Sequence, residues 1–173
     1  AEPLKNRFIR YRLPVLLWMG MIFWMSTGTF SAEHTSRFIG PLLHFLFPRL
    51  SSQDMDLLHG CIRKAGHVAE YFILGLLFFR AFRGNDPQGW RLHWAVCAVI
   101  GVVFYALGDE FHQSWIASRT SSLVDVGIDS MGGVFSQIVM FARVKNPDLF
   151  PSNQSDQDNP RQGMIPPLSF KAG

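Results

Sequence analysis

The sequence predicts an all-α fold, a membrane bundle of four transmembrane helices with a short interfacial or re-entrant segment after the first. Three observations carry this. Hydrophobic residues make up 48% of the 173 positions and charged residues only 17%, well under the roughly one quarter usual for a soluble domain. The mean hydropathy is positive, +0.13, although a polar C-terminal stretch dilutes it. The apolar residues are also gathered into four runs, and a helix needs about 20 such residues to cross a bilayer core. Basic residues cluster at the ends of these runs and the net charge is only +3. That distribution favours a membrane protein over a nucleic-acid binder, which would carry a basic stripe on a soluble face.

The first run, Leu13 to about Phe30, follows Lys5, Arg7, Arg10 and Arg12. A secretory leader has the same basic-then-apolar order. Here, though, the run is rich in Trp and Met, and Ser31–Ala32–Glu33 is a poor cleavage site, so we read it as an uncleaved span. Residues 1–12 form a basic segment ahead of it. The PLLHFLFPRL stretch that follows is apolar but short and is bounded by Pro41 and Pro48, which suits an interfacial or re-entrant piece. Ser51 or Ser52 can cap a new helix, with Asp54 and Asp56 in its first turn. That helix should run into the second span, Ala65 to Phe82. The third span is His93 to Leu107 and carries no Asp, Glu, Lys or Arg; the fourth is Leu123 to Phe141. Beyond Asn146 the composition turns to Pro, Ser, Asn, Asp and Gln without apolar periodicity, and residues 146–173 read as a flexible tail. Cys61 and Cys97 lack a CxxC partner and read as small apolar side chains.

Lys and Arg near the span ends set the orientation. Lys5, Arg7, Arg10, Arg12, Arg80, Arg83, Arg91, Arg143 and Lys145 fall on one side, against Arg37, Arg49, Arg63, Lys64 and Arg119 on the other. The majority places both termini in the cytoplasm, with the chain integral to the cytoplasmic membrane. The polar residues within the spans then gather at the outer end.

Those residues are expensive at membrane depth, which makes them candidates for function. In the second span Arg63, Lys64, His67, Glu70 and Tyr71 recur at helical spacing on one face. If the third helix continues past Gly108, Asp109, His112 and Gln113 share a stripe, with Glu110 beside it. Arg119 and the hydroxyls from Thr120 to Ser122 follow, Ser121 or Ser122 capping the fourth helix. Asp125 and Asp129 lie one turn apart within the fourth span, and Gly132 and Ser136 have the small-xxx-small spacing of a close helix contact. The simplest alternative to function is a salt-bridge network between these acids and Arg63, Lys64 and Arg119.

The expectation is one outward-facing site that takes a phosphorylated or otherwise anionic head group from a membrane lipid, including an isoprenoid-linked one. Arg63, Lys64 and Arg119 would hold the anion, with Tyr71, Gln113 and Ser121 lining the site. His67, Glu70, His112, Asp109, Glu110, Asp125 and Asp129 offer acid–base groups or ligands to a divalent metal. The residues leave three functions open: an enzyme on a lipid-linked phosphate, a non-catalytic binder of an anionic lipid or glycopeptide, and a small transporter.

RKAGHVAEYFILGLL resembles the RK-x-x-H-x-x-E-Y segment of the VanZ-like membrane proteins, and GDEFHQSWIASRTSSLVDVGIDSMGG is similar to their DE-x-x-Q…R…D-x-x-x-D-x-x-G segment. STGTFSAEHTSRF is similar to the Ser-containing end of their first span. The likeness runs from about Trp18 to Phe141 and departs at Ala117–Ser118, where members often have Pro-Gly. It implies a VanZ-like four-helix domain over 13–145 and an envelope role linked to teicoplanin resistance, and it marks the polar residues as a shared site. It supplies no reaction.

Overall fold

The computed structural model describes residues 4–27, 40–86, 89–115 and 122–146. Four long helices dominate: α1 (Leu4–Ser26), α2 (Ser52–Arg83), α3 (Leu92–Gln113) and α4 (Leu123–Lys145), each long and apolar enough to cross a membrane. Among the described residues there is no strand. Their outward faces are apolar, with Leu16, Leu17, Phe104, Phe111, Phe135 and Ile138 all exposed. This is the surface a lipid-bathed bundle requires, because hydrocarbon, unlike water, solvates such side chains freely.

Helix α1 begins nine residues before the expected Leu13, since Leu4, Phe8 and Tyr11 give the basic segment an apolar face of its own. Its second turn, Phe8–Arg12, is π-helical. The helix ends at Ser26, where Thr27 turns extended; Gly28 to Phe30, included in the expected span, lie outside the described residues. Residues 40–46 are helical, Leu43 is buried, and Leu42, Phe45, Leu46 and Phe47 are exposed. A short helix thus stands where the sequence suggests an interfacial or re-entrant piece.

Helix α2 starts as its sequence suggests. Ser51 is the cap, its hydroxyl accepting from the Asp54 backbone N–H at 3.2 Å. At about 1.5 Å per residue its 32 residues span roughly 48 Å, more than the ~30 Å of a hydrocarbon core. The excess length lies with the segment up to Arg63, the more polar part of the helix. Gly84 closes the helix with φ +58, a left-handed conformation natural only to glycine. Helix α3 passes Gly108 and continues to Gln113, and Ser122 caps α4 by accepting from Val124 N–H at 3.1 Å.

Contacts between residues distant in sequence set the topology. Trp18 Nε1 donates to the Glu70 carbonyl at 3.0 Å and Tyr105 donates to the Met19 carbonyl, so α1 lies against α2 and α3. Helices α2 and α4 run parallel and in close contact, with α3 antiparallel to both. The core contains Val15, Ile22, Tyr71, Leu74, Val102 and Ala106, and a second cluster of Phe79, Trp94, Ala95 and Ala98 packs toward the other end. Glycines permit the α2–α4 approach. A Cβ on Gly132 would stand 2.4 Å from the Val68 carbonyl oxygen, and one on Gly75 would stand 3.1 Å from the Gly133 Cα. Gln137 then reaches across to donate to the Gly75 carbonyl at 3.1 Å.

Candidate functional site

Extension of α3 beyond Gly108 carries two carboxyls into the bundle. Asp109 is 4% exposed and Glu110 8%, and a polar group buried at such depth must find hydrogen bonds. Asp109 Oδ2 accepts from Ser26 Oγ at 2.7 Å, from Gln113 Nε2 at 2.9 Å and, more distantly, from Tyr71 OH at 3.4 Å. Its other oxygen, Oδ1, is buried and has no hydrogen-bond partner among the described residues. Glu110 is held differently: its Oε2 accepts from the Ser122 backbone N–H at 2.8 Å, tying the end of α3 to the start of α4.

The acids of α4 face α2. Lys64 Nζ lies 3.3 Å from Asp125 Oδ1, and one turn deeper His67 Nδ1 lies 3.6 Å from Asp129 Oδ1. This ladder follows from spacing, because positions 64 and 67 on one helix and 125 and 129 on its parallel neighbour descend together by one turn. Tyr71 feels the fields of both Asp109 and Asp129, and Glu110 those of Asp109, Asp125 and Asp129. The polar stripes thus do meet at one end of the bundle, as their positions in the chain suggest.

Asp109, Gln113 and Tyr71 form one buried hydrogen-bonded cluster. Lys64, His67, Asp125 and Asp129 form a ladder beside it, and Glu110 braces the connection. Glu70 is half-buried, its carbonyl held by Trp18. His112 packs against Phe23 with ring centroids 4.4 Å apart and the rings tilted by 40°, and its Nδ1 is buried without a partner among the described residues. Arg63 is exposed at the rim. Arg119 and Ser121 lie outside the described residues. No three His, Cys, Asp or Glu side chains among the described residues come together to hold a metal ion. Among the described residues Asp109 is held by neutral donors and Lys64 lies against Asp125, while Arg119, a third cation of the expected salt-bridge network, lies outside them.

The sequence reading did not place Ser26 in the site. Its signal was the hydroxyl-rich STGTFS stretch where the first apolar run weakens, since a serine at the end of a span can face inward as readily as outward.

The Lys64–Asp125 pair is half-exposed on the lysine side, at 50%, and such pairs contribute under about 1 kcal/mol. Lys64→Met is therefore expected to change stability in detergent by less than that, as read by thermal denaturation. A loss several times larger would make the pair a structural clamp.

The fold and site together define a class, an integral membrane protein of four spans with a carboxyl-centred polar site buried at one end of the bundle. Residues 12–144 match the VanZ/LLP1 family, and the chain belongs to it. No match is found among curated proteins or among solved structures.

Proposed function

We propose that this site receives the head group of a membrane lipid or lipid-linked envelope precursor that carries both phosphate and hydroxyl groups. The observation behind this is Asp109. One of its oxygens is saturated by Ser26, Gln113 and Tyr71, and the other is a buried acceptor with no partner among the described residues. A hydroxyl of the incoming head group would satisfy it. Lys64 and Arg63 at the rim, with Arg119 from the following connection, suit the phosphate. The orientation that follows is an outward-facing site with both termini in the cytoplasm. An envelope role in glycopeptide resistance of the teicoplanin type is consistent with such a ligand.

Turnover is a second reading, favoured by the pairing of His67 with Asp129. A carboxylate that orients an imidazole is the usual arrangement of a general acid–base pair. In that case the head group is hydrolysed or modified, with His67 exchanging the proton.

Native mass spectrometry of the detergent-purified chain, with a glycosylated polyprenyl phosphate added, separates the two. Binding predicts a retained one-to-one complex, weakened about ten-fold or more when Lys64→Gln and Arg119→Gln are combined. Turnover adds mass-shifted products that disappear in His67→Asn while the complex persists. Failure to retain the lipid, or retention unchanged in the double variant, would end the proposal.

A further inference from the structure

The opposite end of the bundle holds a second feature that the function above does not use. A recess of about 490 Å³ opens between the first turns of α1 and the C-terminus of α2. Lys5, Arg7 and Arg12 line it together with Leu4, Phe8 and Ala81, and no carboxylate is among its lining residues. None of the three cations is paired with a carboxylate among the described residues.

The recess is shaped by specific contacts. Tyr11 is 8% exposed, its hydroxyl donates to the Asn85 side-chain carbonyl, and the guanidinium groups of Arg10 and Arg80 lie 5.5 and 5.8 Å from its ring centroid. Tyr11 thus pins α1 to the end of α2 and engages two of the local cations itself. The π-helical turn Phe8–Arg12 widens the backbone at this point, a distortion that often marks functional positions. Gly84, with φ +58, turns the chain at the end of α2, and the Arg7 guanidinium lies in ordinary contact distance of it, 3.8 Å from the position of a Cβ there. Beside the cations stand large exposed apolar side chains, Leu4 at 84% and Phe8 at 44%. A soluble anion needs no such wall, whereas an acyl chain does.

We propose that this recess binds the phosphate of one anionic phospholipid, with Lys5, Arg7 and Arg12 around the head group and Leu4, Phe8 and Ala81 along the first acyl carbons. Basic pockets between membrane helices recognise lipid head groups in this way. The inference rests on the membrane fold alone and is independent of the function assigned to the other end.

The test compares dioleoyl phosphatidylglycerol with dioleoyl phosphatidylcholine on the full chain in detergent, read by native mass spectrometry and by thermal denaturation. One phosphatidylglycerol should be retained in preference to phosphatidylcholine and should raise the denaturation midpoint. Arg7→Gln combined with Arg12→Gln should weaken retention roughly thirty-fold, at about five-fold per cation. Arg143→Gln with Lys145→Gln, which removes the same charge from the same end, should leave it unchanged. Equal weakening by both pairs would reduce the effect to general surface charge and overturn the proposal. Lack of preference between the two lipids would do the same, as would inorganic phosphate reproducing the full thermal shift. Should the Arg7/Arg12 variant fail to fold, Lys5→Gln on the exposed first turn provides the same comparison at about five-fold.

Discussion

Asp109→Asn is expected to leave the bundle folded and to abolish retention of the head group by about a hundred-fold. The amide oxygen can take the place of Oδ2 and continue to accept from Ser26, Gln113 and Tyr71, so the helices keep their connections. The amide nitrogen then occupies the position of Oδ1, and the ligand hydroxyl loses the charged acceptor of its proton. A hydrogen bond to a charged group is worth about 1.5–3 kcal/mol, and the upper end of that range corresponds to about a hundred-fold in affinity. Asp109→Ala should behave differently. It removes the acceptor and leaves Ser26, Gln113 and Tyr71 as donors without their partner inside the bundle, so stability falls by several kcal/mol by the same arithmetic. Thermal denaturation of both variants beside lipid retention distinguishes a binding carboxyl from a purely structural one. Full retention in Asp109→Asn would remove Oδ1 from the site.

The second large effect is expected at Gly132. A methyl group there would be driven to 2.4 Å from the Val68 carbonyl oxygen and 3.0 Å from the Phe72 backbone nitrogen. Backbone atoms cannot move aside as a side-chain tip can, so α2 and α4 must separate. Overpacking of a well-packed core typically costs about 1–3 kcal/mol, and a clash against backbone should reach or exceed the upper figure. Gly132→Val should therefore prevent the two helices from closing, parting Lys64 from Asp125 and His67 from Asp129. Loss of monodisperse protein on size-exclusion chromatography would report it. Ser130→Ala on the same helix is the control, since its hydroxyl bonds only within α4, to the Val126 carbonyl. If Gly132→Val were as stable as the wild-type chain, the close α2–α4 contact would be wrong.

These two positions also show what could be read in advance. Asp109 was visible as an acid one turn beyond an apolar run, and Gly132 as half of a small-xxx-small pair with Ser136. Neither position disclosed its partner. Of the cations expected near Asp109, Lys64 lies against Asp125, while Asp109 accepts from Ser26, a residue 83 positions away. The helical turns ahead of Leu13 have a related origin. A run of alternating basic and apolar residues reads as polar in a composition window, yet it makes a good helix once Tyr11 has Asn85 and Arg80 to pack against.

By itself the sequence determined the number of spans, a serine cap at Ser51 or Ser52 and another at Ser121 or Ser122, and the face each polar residue occupies on its own helix. These depend on local quantities: hydrophobic run length, capping chemistry and the 3.6-residue period. Tertiary structure alone decided the pairing. Periodicity specifies a direction from one helix axis but not the depth or rotation of its neighbours. Those follow from how closely Gly75, Gly132 and Gly133 let the backbones approach and from where Trp18 and Tyr11 pin the first helix. Only that packing determines that Ser26, Tyr71, Asp109 and Gln113 share one buried cluster.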